Sequence, residues 1–354
     1  MTIPLVETYL DQLRQRTTRQ HSVAPQTLRA VRSDLGGFIR WWEQTNGISF
    51  DPALVLDTDL LDWHAHRQAS GRGVKASTLN RARSTLLGFF SWAQTQGLAS
   101  HNPATALPLL ELDAIAPRST PPEGVDWLFR VASAQDDPTT RLRDLALLTL
   151  LSDCGLRSQE AADVQLRDLD LAAETLTVRA GKGGKARRLP LPPTAIRRLH
   201  DYLKVRCPHG LPPVGSEAER EALLIVRHLP KPGRPWEPGM KTVTMRKVLA
   251  LLGKEAAAKV RAQARREASV TRIGELETLA RRLEQTSPHR LRHGLAYRLK
   301  QAHTPLDDIG RVLGHSRPQV TTVMYGKSFD DDVRASLEAA TRITRRSRSG
   351  GDER

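Results

Sequence analysis

The sequence predicts a mainly α protein: an N-terminal helical bundle, then a mixed α/β domain with one small antiparallel sheet. Three observations carry this. Apolar residues recur at three- and four-residue spacing through most of the first 110 residues and again beyond residue 123. A single pair of alternating segments, 176–179 and 186–191, brackets a glycine-rich turn. Five prolines fall between residues 102 and 122, a composition that separates domains. At 354 residues the chain has room for two domains of ordinary size.

Leu5, Val6, Tyr9, Leu10 and Leu13 mark a first helix. Pro25, a favoured first-turn residue, opens a second that carries Leu28, Val31, Leu35, Phe38, Ile39 and Trp42 to a stop at Asn46-Gly47. Thr58 is placed to cap a third helix with Leu60, Leu61 and Trp63. Ser77 or Thr78 is placed to open a fourth with Leu79, Leu86, Phe89, Phe90 and Trp92, ended by Gly97. Short connections between these helices predict a bundle over 1–110, a linker over 111–122 within the Pro-rich stretch 102–122, and a second domain over 123–345. That domain is expected to open with helices at 124–134 and 139–151, turn at Gly155 and resume a helix at Ser158. Beyond the hairpin, helices are expected from Pro193, through most of 238–285, and at 289–302, 306–313, 319–325 and 331–344. Residues 346–354 form a basic Ser/Gly-rich tail, expected to be disordered.

Lys and Arg number 54 against 39 Asp and Glu, a net charge of +15. The excess is uneven: residues 1–120 are net +2 and residues 121–354 net +13. Such a surface favours a polyanion through phosphate contacts and counterion release; a basic protein with no such partner is the blander reading of charge alone. Arg29, Arg32, Lys75, Arg81 and Arg83 lie on or beside the polar faces of the second and fourth helices, where they either grip phosphates or solvate a helix surface. Two cysteines, Cys154 and Cys207, without paired spacing point away from a disulfide framework and toward a reduced cytosolic setting. Cys207-Pro208-His209 lacks partner ligands for a metal and reads as a turn. No signal pattern opens the chain and no apolar run reaches membrane-spanning length, so no membrane partner is expected.

Six chemically capable side chains are dispersed over the second domain. Arg157 follows Gly155-Leu156 at the end of an apolar helix, where an arginine is also an ordinary helix-end cation. Lys182 sits in Gly181-Lys182-Gly183-Gly184-Lys185, a turn without the nucleotide-binding spacing; it is either an exposed turn lysine or a hairpin-tip group able to protonate a leaving oxygen. His289 and Arg292 stand one helical turn apart in His289-Arg290-Leu291-Arg292-His293 and share a face. His289 and His293 have zinc-like spacing, but no Glu follows His289 and no third ligand is near, so no metal is expected. His315, in Leu313-Gly314-His315-Ser316, is a possible donor to a phosphate oxygen or a surface histidine. Tyr325 follows His315 by ten residues. A phenol with an ordinary pKa of about 10 needs cations around its target to act as a nucleophile. Two guanidiniums, an ammonium, two imidazoles and a phenol together suit holding and attacking a phosphodiester, with no carboxylate cluster for a metal.

The stretches LLTLLSDCGLRSQEAADVQLRDLDL, VRAGKGGKARRLPL, SPHRLRHGLAYRL and LGHSRPQVTTVMYGK resemble the tyrosine recombinase (phage integrase) family, including its Xer-type and transposon or integron members. The resemblance covers nearly the whole chain: the first helices resemble the core-binding domain and residues 121–345 the catalytic domain of the tyrosine recombinase fold. It implies that Arg157, Lys182, His289, Arg292, His315 and Tyr325 are catalytic, with Glu160 and His293 in support and Lys185 and Arg187 on DNA beside the bundle's basic residues. It implies a 3′-phosphotyrosyl intermediate and a four-way junction, with no cofactor. The partners it implies are duplex DNA with inverted-repeat core sites and a homotetramer on that DNA, the free protein being a monomer or weak oligomer. The setting it implies is a bacterial cytoplasm, on the nucleoid. Relative to Xer-type members the chain has one extra residue between Ser316 and Tyr325, and residues 255–285 resemble an inserted helical arm that touches DNA or a neighbouring protomer. A type IB topoisomerase, a non-catalytic DNA-binding regulator and a metal-dependent nuclease are the rival readings. The first lacks the core-binding bundle, the second has no use for Arg157, Lys182 and Tyr325 together, and the third needs clustered acids.

Overall fold

The structure is a computed structural model that describes residues 2–15, 23, 25–69, 74–111, 119–179, 186–213, 215–226 and 239–314. The chain divides into two compact units, Met1–Pro117 and Arg118–Arg354.

The first unit contains α1 (Thr2–Gln15), α2 (Pro25–Asn46), α3 (Asp57–Ala69) and α4 (Ala76–Thr95). Four of the six Trp and four of the six Phe lie here, which gives this unit an aromatic core. Phe38 meets Phe50, Trp63 and Phe90 edge-on, and Phe89 meets Phe90 the same way at 5.2 Å, the arrangement that ring quadrupoles favour. Asp34 is buried in this core, and its carboxylate accepts from Arg81 Nε at 3.0 Å, Arg81 Nη2 at 2.8 Å and Thr85 Oγ1 at 3.3 Å.

Three boundaries differ from expectation. Helix α3 starts one residue before Thr58, and Asp59 rather than Thr58 supplies a carboxylate that accepts the Leu56 N–H at 3.0 Å and the Trp42 Nε1–H at 3.0 Å. Helix α4 opens after Lys75, leaving Ser77 and Thr78 inside its first turn. The Pro-rich stretch is shorter as a linker than its composition suggests. Asn102 caps the 3-10 turn Pro103–Ala106, Ala104 and Leu107 are buried in the bundle, and Leu110 exchanges hydrogen bonds with Asn80 at 2.8 and 2.9 Å. On the far side, Thr120 is buried in the second unit with its N–H on the Arg290 carbonyl.

The second unit runs α5 (Pro122–Ser133), α6 (Pro138–Leu148), a π turn (Thr149–Asp153), α7 (Ser158–Asp163), β1 (Leu169–Asp170), β2 (Thr175–Val178), β3 (Arg187–Pro190), α8 (Pro193–Arg206), α9 (Glu217–Glu221), α10 (Thr242–Ala264), α11 (Val270–Glu284), α12 (Pro288–Gln301) and α13 (Leu306–Leu313). The strands form one antiparallel sheet in the order β1-β2-β3, with Leu176 opposite Leu189, both buried. The hairpin is where the alternation placed it; β1, two residues long, left no periodicity to read. Its turn, residues 180–185, lies outside the described residues, as do the helices expected at 319–325 and 331–344 and the tail.

The segment 255–285, expected as an inserted helical arm, packs its inner face into the domain core. Leu252, Ala256, Ala257 and Val260 of α10 and Leu276, Leu279, Ala280 and Leu283 of α11 belong to the unit's main core. The helices meet backbone to backbone: a Cβ on Gly253 would stand 2.3 Å from the Leu283 carbonyl oxygen. The charged composition that suggested an arm lies on the outer face, where Arg261 pairs with Glu284 at 2.6 Å. Among the described residues, no helix is long and apolar enough to cross a membrane.

Candidate active site

Helix α6 does not end in an ordinary α turn. Its register widens through Thr149–Asp153, with the Cys154 N–H on the Thr149 carbonyl and the Leu156 N–H on the Leu150 carbonyl, both at 3.0 Å. Gly155 then takes φ +64, and a Cβ there would meet Leu295 Cδ2 at 2.7 Å. A left-handed residue in so tight a place must be glycine. The reversal delivers Arg157 to the start of α7. Behind the π turn, Arg298 donates to the Ser152 carbonyl at 2.7 Å and Arg198 pairs with Asp153 at 3.0 Å. Burial pushes the Asp153 carboxyl up, opposed by Arg198 and Arg298.

Glu160, one turn into α7, gathers the site. Its carboxylate accepts the Arg157 backbone N–H at 2.9 Å, Arg157 Nη1 at 2.7 Å, and Arg187 Nη1 and Nη2 at 3.0 and 2.8 Å. Arg292 Nη1 stands 3.9 Å away. Burial alone would raise the Glu160 carboxyl. The Arg187 hydrogen bonds, the Arg157 N–H and the two positive charges overcome it and hold the group at about 2.

The same three arginines close on the end of α13. Arg187 Nε donates to the Val312 carbonyl at 3.2 Å, Arg292 Nη2 to the Leu313 carbonyl, and Arg157 Nη2 to the Gly314 carbonyl at 3.0 Å. Carbonyls at a helix C-terminus lack partners within the helix and carry partial negative charge, so guanidiniums complement them. Gly314, at φ +61, lets the chain pass over Arg187; a Cβ would fall 2.6 Å from Arg187 Nη1. Arg292, on α12, also donates to the Gly155 carbonyl at 2.6 Å. Its side chain is 5% exposed, whereas that of Arg157 is 31% exposed. Arg157 is therefore the more accessible of the two expected phosphate ligands.

His289 and His293 lie on α12 with their Nε2 atoms 2.8 Å apart and their rings edge-to-face. One Nε2 must donate and the other accept, so the two rings cannot both be protonated at that contact. Lys182, Lys185, His315 and Tyr325 lie outside the described residues. Among the described residues, no three His, Cys, Asp or Glu side chains form a group able to hold a metal ion.

The basic residues expected on DNA divide. Arg29 and Lys75 are exposed, and Arg32 is exposed in an ion pair with Glu7 at 2.7 Å. Arg81 is tied to Asp34, and Arg83 Nε donates to the Leu107 carbonyl at 2.7 Å. Arg187, expected on DNA, is turned inward onto Glu160, with its side chain 11% exposed. Sequence reasoning missed this inward role. The available signal was position: the alternation of the return strand gives Leu189 to the core, and Arg187, two residues earlier, shares its face.

Residues 125–331 match the model described as the phage integrase family, and residues 6–97 match the phage integrase N-terminal SAM-like domain. The chain belongs to the phage integrase family and is a tyrosine site-specific recombinase. It is 32% identical over 311 residues to the tyrosine recombinase XerC of Rhodospirillum centenum, covering 85% of this chain and 77% of that protein. It is 27% identical to XerC of Alcanivorax borkumensis, covering 98% and 96% of the two chains. Its fold is similar to that of the Tn1549 transposon integrase in complex with transposon right end DNA, with a TM-score of 0.65 at 19% identity over 95% of this chain and 98% of that one.

Proposed function

We propose that this recombinase cuts and rejoins duplex DNA with Tyr325 as nucleophile. Arg157 and Arg292 hold the scissile phosphate with His315 and stabilise the charge that grows on its non-bridging oxygens, typically the largest catalytic contribution. The Tyr325 oxygen attacks phosphorus and displaces the 5′-oxygen, leaving a 3′-phosphotyrosyl ester. Lys182 gives the departing oxygen its proton, and His289 takes the phenolic proton. A 5′-hydroxyl from the second duplex then attacks phosphorus, expels the tyrosine and restores a phosphodiester. The ester conserves the bond, so the exchange needs no nucleotide cofactor.

The carrying observation is the convergence of Arg157 and Arg292, 135 residues apart in sequence, on Glu160 and the last carbonyls of α13. The family's pattern further supports inverted-repeat core sites, a tetramer on two duplexes and a four-way junction, in a mobile element or a chromosomal system of a bacterial cytoplasm. Arg29, Arg32 and Lys75 are the bundle's proposed phosphate contacts, with Lys185 beside the hairpin turn.

The test begins by recovering the site from a pool of random duplexes by repeated binding. A nicked duplex of that sequence, which loses its short 5′-hydroxyl fragment on cleavage, should then trap the protein covalently. Tyr325→Phe should bind the duplex and form no adduct. Adduct formation by Tyr325→Phe would overturn the assignment.

A further inference from the structure

Arg187 has no catalytic role in the mechanism above, yet its side chain is 11% exposed and turned onto Glu160 and the end of α13. Its two Nη atoms span both oxygens of Glu160, at 3.0 and 2.8 Å, and its Nε caps the Val312 carbonyl at 3.2 Å. It lies under Gly314, where an added Cβ would stand 2.6 Å from Arg187 Nη1 and displace the guanidinium. It also belongs to β3, so one side chain joins the sheet, α7 and the end of α13.

We propose that Arg187 is a positioning residue for strand cleavage: by holding both oxygens of Glu160 and the end of α13, it fixes the Arg157 guanidinium where the phosphate binds. The chemistry is specific. A carboxylate has a limited number of lone pairs, and a bidentate guanidinium fixes its plane as well as its charge. With that plane set, Glu160 Oε1 meets Arg157 Nη1 at 2.7 Å while Arg157 Nη2 reaches the Gly314 carbonyl at 3.0 Å. Without Arg187, Glu160 keeps, of the hydrogen bonds above, only those with Arg157 itself, so the pair is no longer referenced to the sheet, and the Val312 carbonyl loses the Arg187 donor. Arg157 then has no single place from which to meet a phosphate. Lysine replaces this function only in part, because an ammonium keeps the charge but is a point charge without a planar fork. Burial already works against the Glu160 carboxylate, and Arg187 supplies the largest opposing interaction, so its loss also moves that carboxyl upward.

This inference rests on the reading of Arg157 as a phosphate ligand, and the experiment separates the two. Full-length wild type, Arg157→Ala, Arg187→Gln and Arg187→Lys are compared on the nicked duplex recovered as above. One version carries the ordinary scissile phosphodiester and another a methylphosphonate there. The methylphosphonate is uncharged and develops less negative charge during attack, so it depends less on a well-placed guanidinium. Melting temperature and duplex affinity are measured for each protein. Arg187→Gln should lose about 10²–10³-fold in adduct rate on the phosphodiester, the range for a misplaced transition-state donor. Its duplex affinity should be unchanged, and relative to wild type it should recover at least about tenfold on the methylphosphonate. Arg187→Lys should follow the same pattern with a smaller loss, and it carries the test if Arg187→Gln fails to fold.

An equal loss on both substrates, or no loss for a folded variant, overturns the positioning role. Absence of methylphosphonate relief in Arg157→Ala overturns instead the reading of Arg157 itself. The pH dependence gives a second readout: cleavage by Arg187→Gln should fall toward acid at a higher pH than in the wild type, as Glu160 takes up a proton. An acid limb identical to that of the wild type counts against the proposal.

Discussion

The Arg292 guanidinium donates to the Gly155 carbonyl at 2.6 Å, across 137 residues of sequence. The arginine of the His289-Arg292 pair thus closes the loop that presents Arg157, and structure and charge in this site cannot be separated by deleting one side chain. Arg292→Ala should strip the Gly155 and Leu313 carbonyls of donors in a buried setting and destabilise the second unit by about 3 kcal/mol. Denaturant unfolding measures this; Arg157→Ala, half-open to solvent, should cost clearly less.

Glu160 gives acid stability a defined window. Its folded-state pKa of about 2 lies below its ordinary value of 4.5. Because the shift is downward, the stabilisation is fully present above about pH 4.5 and is lost as pH falls toward 2. At 1.36 kcal/mol per unit, the contribution is on the order of 3 kcal/mol. Glu160→Gln should flatten the stability profile over that window when unfolding is followed against pH. A profile as steep as that of the wild type would show that other carboxylates dominate.

Helices α10 and α11 act as core rather than appendage. Gly253→Val should force them apart at the Leu283 carbonyl, with a loss of about 2–3 kcal/mol typical of overpacking. Deletion of residues 255–285 should yield a second unit that no longer melts cooperatively. A deletion that melts like the wild type and alters DNA binding alone would return the segment to the role of an arm.

The bundle's basic residues should separate by function. Arg81→Ala leaves buried Asp34 with Thr85 alone among the partners described above and should destabilise the first unit by about 1–3 kcal/mol. Arg29→Ala and Lys75→Ala, at exposed positions, should leave stability within about 0.5 kcal/mol. If they contact phosphates, each should lower the salt slope of duplex binding by about 0.9. Thermal melts and affinities at several salt concentrations distinguish the two classes.

Much of this was legible in sequence because it is local. The helical spacing of Leu35, Phe38 and Trp42, the alternation that put Leu176 and Leu189 face to face, and the glycine before Leu156-Arg157 each act over a few residues. Distant partners were not legible. Nothing near Arg187 announces Glu160, 27 residues earlier, and Arg81 carries no mark of Asp34, 47 residues away. The charged outer face of α10 and α11 concealed an inner row of Ala and Leu, whose small side chains give a weak periodic signal beside so many Arg and Glu. Thr58 and Ser77 were plausible caps, but the chain reached helical geometry a residue earlier in each case, a shift within the normal play of helix ends.

Three consecutive carbonyls, at 312, 313 and 314, are each grasped by a different arginine, and His315 is the next residue in the chain. The departure point of the chain beyond Gly314 is thereby referenced to the same three guanidiniums that gather around Glu160. For chimaeras between relatives, the practical seam falls after Gly314. A join within α13 would ask one parent's arginines to fit the other parent's helix end, whereas a join beyond it inherits the anchorage whole.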